Sequence, residues 1–172
     1  MSRVVPLSKK RKLEIIRLVN EGGDDVSPDV VEDASLYEKY RRRVRREMMN
    51  FASSATNSEE LHFFAERWDW DGDVKPLFRL VKNPNCDAGT LLAVFWRGNP
   101  ESYYRFHMTP RELPNGNQRD IYTLLRRIEK VLLAQERGNA KIRFNPRSFI
   151  FDRANRKNFA RPIPDRLYKP IG

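Results

Sequence analysis

Apolar residues return every three or four positions along most of this chain, which is the period of one helix face. Between Leu7 and Glu21 the stripe is Leu13, Ile16 and Val19, with Ile15 and Leu18 beside it. Ser8 stands where a cap would start that helix and Gly22 where one would end it. Leu36, Tyr40, Val44, Met48 and Phe51 predict a longer helix from Leu36 to about Ala52, capped by Ser35. A third helix begins at Asn57 or Ser58, with Glu59 and Glu60 in its first turn, where the helix dipole favours acids. Its apolar face is Leu61, Phe64, Ala65 and Trp68. Val74 to Val81 reads as a short amphipathic helix, Leu91 to Trp96 as an apolar one, and Glu101 to Phe106 as a turn or two more. Ile121, Leu124, Leu125, Ile128, Val131 and Leu132 give the stretch from Gln118 to Glu136 a broad apolar face.

Breakers fall between these stretches. Gly22 to Asp25 predicts a loop, and Ser27-Pro28 a cap with proline at the first helical position. Pro84 cannot extend the helix before it and biases Asn83 out of the α region. Asp87 is then placed to cap the next helix, so Asn83-Pro84-Asn85-Cys86-Asp87-Ala88-Gly89-Thr90 reads as a helical corner. Gly98 suits a left-handed C-terminal position. His107 to Asn117, with Pro110, Pro114 and Gly116, reads as a loop, and Gly138 as a stop.

From Asn139 the pattern is lost. Arginine and lysine alternate with aromatics, and prolines stand at 146, 162, 164 and 170. The expectation is an all-α protein of stacked helical hairpins over residues 1–138. A basic, largely extended C-terminal extension follows over residues 139–172. Phe144, Phe149, Ile150, Phe151, Phe159 and Tyr168 are too many for a purely solvated tail, so part of it should pack on the helices or on a partner.

Charge sharpens this picture. The 172 residues carry 33 Lys and Arg against 23 Asp and Glu, a net +10. That balance attracts polyanions or an acidic partner surface. Arg41, Arg42, Arg43, Arg45 and Arg46 make most of one helix basic, either as a solvated face or as a binding stripe. One cysteine excludes an intrachain disulfide framework. No apolar run approaches the roughly 18 to 20 residues that span a bilayer, and the N-terminus lacks the apolar core of a secretory signal. A cytoplasmic protein without membrane attachment is expected.

Candidate chemistry is sparse. Zinc sites show closely paired ligands, and His62, His107 and Cys86 are isolated. Cys86 reads better as a small buried hydrophobe at a corner than as a nucleophile. Asp69, Asp71 and Asp73 alternate like the start of a calcium loop, but no Glu closes twelve residues. No phosphate loop, nucleophile elbow or dinucleotide fingerprint is present. No catalytic residue, metal or cofactor is therefore assigned, and no enzyme is expected. The candidates that remain are partner-binding: Asp69, Trp70, Asp71 and Asp73 in the acidic turn, Tyr103 and Tyr104, and Arg41, Arg42, Arg45 and Arg46.

Leu61-His62-Phe63-Phe64-Ala65, Trp68-Asp69-Trp70-Asp71-Gly72-Asp73 and Asn83 to Leu92 resemble an uncharacterised bacterial domain family. In that family they form a Leu-His-x-x-Ala helix, a Trp-Asp turn and an Asn-Pro-Asn-Cys-Asp-x-Gly-Thr corner. The resemblance covers Leu61 to about Phe106. The corner is also similar to those of helical-repeat proteins, which implies a HEAT-like core. Members of the family resemble small cytoplasmic proteins encoded beside polymorphic toxins. That implies an immunity or antitoxin protein that binds a cognate toxin and occludes its active site. The other reading is a nucleic-acid-binding module that uses the arginine helix and the tail, with Phe149, Phe151 or Phe159 stacking on bases.

Overall fold

The computed structural model describes residues 6–20, 33–134, 140–151 and 156–171. The loop expected at Gly22 to Asp25, the turn after Ser27-Pro28 and the stop at Gly138 lie outside them. The fold is all-α. Among the described residues seven α-helices run in chain order: α1 (Lys9–Val19), α2 (Ala34–Ser54), α3 (Ser58–Glu66), α4 (Lys75–Lys82), α5 (Ala88–Arg97), α6 (Pro100–Phe106) and α7 (Gly116–Leu133). A short 3₁₀ turn at Pro110–Glu112 separates α6 from α7, and others follow at Pro146–Phe149, Arg156–Asn158 and Asp165–Tyr168. The described residues form no β-strand, only an isolated bridge between Phe144 and Ile171.

Helix α5 is the centre. Every residue from Ala88 to Trp96 is buried. Helices α3, α6 and α7 pack around it, while α2 lies along α4 and α1 on α3. Capping follows the sequence with one change. Ser8, Asn57 and Asp87 cap α1, α3 and α5 as expected. On α2 the cap is Asp33 and not Ser35, because the Asp33 carboxylate accepts the Ser35 and Leu36 amides at 2.8 and 3.1 Å. That starts the helix earlier, at Ala34. The faces of α1 and α2 are also narrower than expected. On α1 the buried residues are Ile15 and Val19, and Leu13 is 49% exposed. On α2 they are Val44, Met48 and Ala52, and Leu36 is 43% exposed.

The corner between α4 and α5 uses its polar groups fully. Asn83 is buried, and its amide donates to the carbonyls of Ala52 and Ala55 at 3.0 and 2.9 Å. Those oxygens lie at the C-terminal end of α2, where the helix itself cannot satisfy them. The Asn83 side-chain oxygen accepts the Asn85 amide at 2.9 Å. Thr90 Oγ1 meets His62 Nδ1 at 3.2 Å, joining α5 to α3. Cys86 is buried, as a structural cysteine should be.

At the other end of α5 one expectation fails. Gly98 has φ −72° and is not left-handed. Asn99 takes that conformation instead, with φ 54°. Its side chain then accepts the Ser102 amide at 3.3 Å and caps α6, and an asparagine tolerates αL better than most residues. Gly98 is needed for room: a Cβ there would stand 2.9 Å from Leu125 Cδ2 and 3.0 Å from the Trp70 ring.

The described tail is not largely extended chain in solvent. Ile142, Phe159, Ile163 and Leu167 are buried. Polar groups of the helices hold its backbone. Asp87 accepts the Lys141 and Ile142 amides at 2.7 and 3.3 Å. Glu101 accepts the Phe151 amide at 3.0 Å, and Trp96 Nε1 donates to the Leu167 carbonyl at 2.8 Å. Proline and the aromatics suit this irregular path, in which the chain forms 3₁₀ turns and borrows hydrogen-bond partners from the helices.

Gly89 sits where the tail crosses α5. A Cβ there would overlap the Ile142 carbonyl, whose carbon would be only 2.8 Å away. We expect Gly89→Ala to lower stability by about 3 kcal/mol, because overpacked backbone cannot move aside as a side chain can. Urea unfolding of the two proteins checks this, and an unchanged midpoint would contradict it. A second expectation concerns pH. Burial lowers the pKa of His62, with the nearby Glu66 and Glu59 opposing the shift. The unfolded chain then binds this proton at a higher pH than the native one does. Stability from this group is complete above its unfolded pKa near 6.5 and is lost as pH falls through the lower native pKa. His62→Gln should flatten that part of the stability-versus-pH curve.

Candidate functional site

Helix α2 carries its arginines on the face that does not pack. Arg41 lies 3.7 Å from Glu38 and over the Tyr37 ring, and Arg43 lies 3.8 Å from Glu47 and over Tyr40. Arg42 Nε donates to the Glu38 carbonyl at 3.2 Å. These are weak, solvated contacts. Arg45 differs. Its Nε reaches Asp73 at 2.7 Å, tying α2 to the acidic turn before α4.

The turn is built by its own acids. Asp69 Oδ1 accepts the Asp71 amide at 3.0 Å, and the Asp69 carbonyl accepts the Gly72 amide at 3.4 Å. Asp73 Oδ1 accepts the Lys75 amide at 3.0 Å, at the start of α4. Two carboxylates are thus spent on backbone N–H groups, as Asx turns spend them. Among the described residues, no three His, Cys, Asp or Glu side chains gather as metal ligands would.

The turn stands between two clefts. On one side, about 340 Å³ is enclosed by Arg41, Arg42, Arg45 and Glu38 from α2 and by Asp69 and Asp73 from the turn. Met48, Trp68 and Pro76 line it as well. Trp68 is buried, and its Nε1 has no hydrogen-bond partner among the described residues. On the other side a wider cleft of about 850 Å³ is lined by Trp70, Asp71, Arg97, Tyr103, His107 and Gln118, among others. The Trp70 ring there rests on Gly98. Burial raises the Tyr103 pKa, so its hydroxyl stays a donor. Arg46 faces neither cleft. It lines a third, shallower groove with Arg42, Arg45 and Arg79.

Residues 56–133 match the family described as a domain of unknown function, DUF4274. No curated protein and no solved structure matches the chain. The matched segment takes in α3 to α7, and the resembling stretch from Leu61 to Phe106 lies within it. The acidic turn, Trp70 and Tyr103 belong to the matched segment, whereas the arginines of α2 do not. The narrower cleft is therefore assembled from both parts, and Arg45–Asp73 is a bond across that seam.

The structure thus brings Arg41, Arg42, Arg45, Asp69 and Asp73 to one cleft and Trp70, Asp71 and Tyr103 to another. Tyr104 joins neither, and as a surface anchor it is a correction. Its side chain is fully buried against Phe95 and Tyr122. Its hydroxyl donates to Glu129 Oε2 at 3.1 Å, while Arg126 and Arg161 hold Glu129 Oε1 at 2.6 and 2.9 Å. Burial, then the Glu129 charge, drives the phenol pKa well up. Neighbouring tyrosines on a helix point to different sides, so Tyr103 and Tyr104 could not both face out. Sequence reading also passed over Glu38, Arg79 and Arg97. Glu38 stands one helical turn before Arg41 and Arg42, which was a visible signal; Arg79 and Arg97 are brought in only by helix packing.

Tyr104→Phe should leave one oxygen of a buried carboxylate without a donor. We expect a stability loss of about 2 kcal/mol with no change in partner affinity. Thermal unfolding alongside a binding isotherm separates the two.

Proposed function

We propose that the chain is a non-enzymatic, cytoplasmic immunity or antitoxin protein that binds a cognate bacterial toxin and covers its active site. The observation that carries this reading is the pairing of opposite charges within one concave patch. Arg41, Arg42 and Arg45, with Glu38 among them on α2, face Asp69 and Asp73 across a single cleft. Both signs in one patch suit a protein surface, which also presents both signs, and they set register and reject wrong partners. A second cleft beside it offers half-buried Trp70 and Tyr103, the residue types that carry most interface energy. The toxin-associated role itself rests on the resemblance read in the sequence, since the family matched over residues 56–133 is one of unknown function.

The net charge of +10 suits a toxin with an acidic contact face. A nucleic-acid module is the second reading, and the exposed Phe151, 80% open, favours it. Against it, Phe159 is buried and Phe149 packs on Phe144, so two of the three expected base stackers are engaged within the fold. A phosphate backbone laid along α2 would also meet Asp69 and Asp73.

The test is co-expression with the protein encoded beside its gene. The chain should restore growth and co-purify with that protein. Asp71→Arg, which reverses an exposed charge without removing a turn hydrogen bond, should weaken the complex about tenfold. Equal killing with and without the chain, together with no co-purification, would overturn the reading.

A further inference from the structure

The third groove differs from the other two in having no acid on its walls. Its volume is about 440 Å³, and it is lined by Arg42, Arg45 and Arg46 from α2 and Arg79 from α4, with Met49, Asn50 and Ser53. Helices α2 and α4 pack along each other, the start of α4 beside Arg45 and its end beside the end of α2, and this contact is what draws the guanidinium groups together. Arg45 is already paired with Asp73. Among the described residues Arg42 makes only its Nε bond to the Glu38 carbonyl. Arg46 and Arg79 have no acidic partner among the described residues, and both side chains are exposed. Four like charges sharing one groove repel one another, and an oxyanion placed among them removes that repulsion. Guanidinium groups suit this role because their donor forks match a carboxylate in two parallel hydrogen bonds.

The geometry points to this groove as the docking site for an acidic segment of a protein partner, carboxylates seated between α2 and α4. This rests on the protein-binding reading above and names the chemistry that the partner would bring. The neighbouring cleft decides between a protein and a nucleic acid. Arg42 and Arg45 line both hollows, so the groove opens beside Glu38, Asp69 and Asp73. A strand of phosphates continuing past Arg45 would run against those acids. An acidic protein segment is short, and its flanks can supply basic or neutral residues there. Seating a carboxylate beside Arg45 and leaving Asp73 to a basic flank uses both hollows at once.

The test uses the full chain and two probes of equal net charge, a labelled poly-glutamate peptide and a poly-thymidylate oligonucleotide, followed by fluorescence anisotropy. Arg46→Gln with Arg79→Gln empties the groove of its free charges. Arg147→Gln with Arg166→Gln removes the same charge from exposed positions on the tail and serves as the control. Thermal unfolding confirms that both double variants stay folded. The groove variant should bind the peptide about tenfold more weakly and the control less than about twofold, with the affinity falling as salt rises. Equal weakening in both variants means that the protein attracts the peptide by overall charge only, and overturns the proposal. Tighter binding of the oligonucleotide, lost in the groove variant, overturns it in favour of nucleic acid. Rescue from the toxin is read separately by growth. If the groove variant still rescues, the groove is not the contact but neutralisation stands; if no form of the chain rescues, neutralisation itself is lost.

Discussion

One carboxylate, that of Asp87, holds the centre of this molecule in place. It accepts the Gly89 amide at 2.7 Å and so starts α5, the fully buried helix on which α3, α6 and α7 pack. The same side chain accepts the Lys141 and Ile142 amides and fixes where the tail crosses. An N-cap alone contributes about 1 kcal/mol. Here the cap also satisfies backbone groups of a segment 54 positions away, so corner and tail are fixed by one residue. Gly89 completes the arrangement by leaving room for the Ile142 carbonyl.

This explains why the most distinctive stretch of the sequence is not where binding is proposed. Asn83, Asp87, Gly89 and Thr90 are all committed: to the end of α2, to the start of α5, to the tail and to His62. The side chains with spare capacity lie on either side, in the acidic turn and along α2. Arg45 joins them. It ends the acid-lined cleft and begins the acid-free groove, and its pairing with Asp73 makes the two hollows parts of one surface.

Much of the fold was legible in the sequence because helices announce themselves locally. The period of Leu61, Phe64, Ala65 and Trp68, the caps at Ser8, Asn57 and Asp87, and the break at Pro84 each depend on neighbours within a turn or two. What could not be read depended on distant partners. Leu13 and Leu36 fit an apolar stripe, yet nothing packs on them enough to bury them. Gly98 seemed chosen for its backbone freedom and is in fact chosen for its lack of a side chain, since Trp70 and Leu125 arrive from elsewhere. The site divided in the same way. Acid and arginine runs were visible as residues, but not that they face each other, nor that Arg79 joins the arginines and Tyr104 leaves the surface. The tail offered no period at all, because its order comes from bonds to the helices.

Those bonds span long stretches of chain. Trp96 Nε1 reaches the Leu167 carbonyl across 71 positions, and Arg161 reaches Glu129 across 32. Closing such loops costs entropy before any contact is gained, so contacts of this kind form late in folding. During synthesis from the N-terminus, α5 would be complete well before Leu167 exists. In that interval the indole N–H of Trp96 lacks its tail carbonyl, and Asp87 holds the Gly89 amide without yet holding those of Lys141 and Ile142. The helical core therefore has to hold its shape before the tail is made, and the tail residues are the ones that seal it.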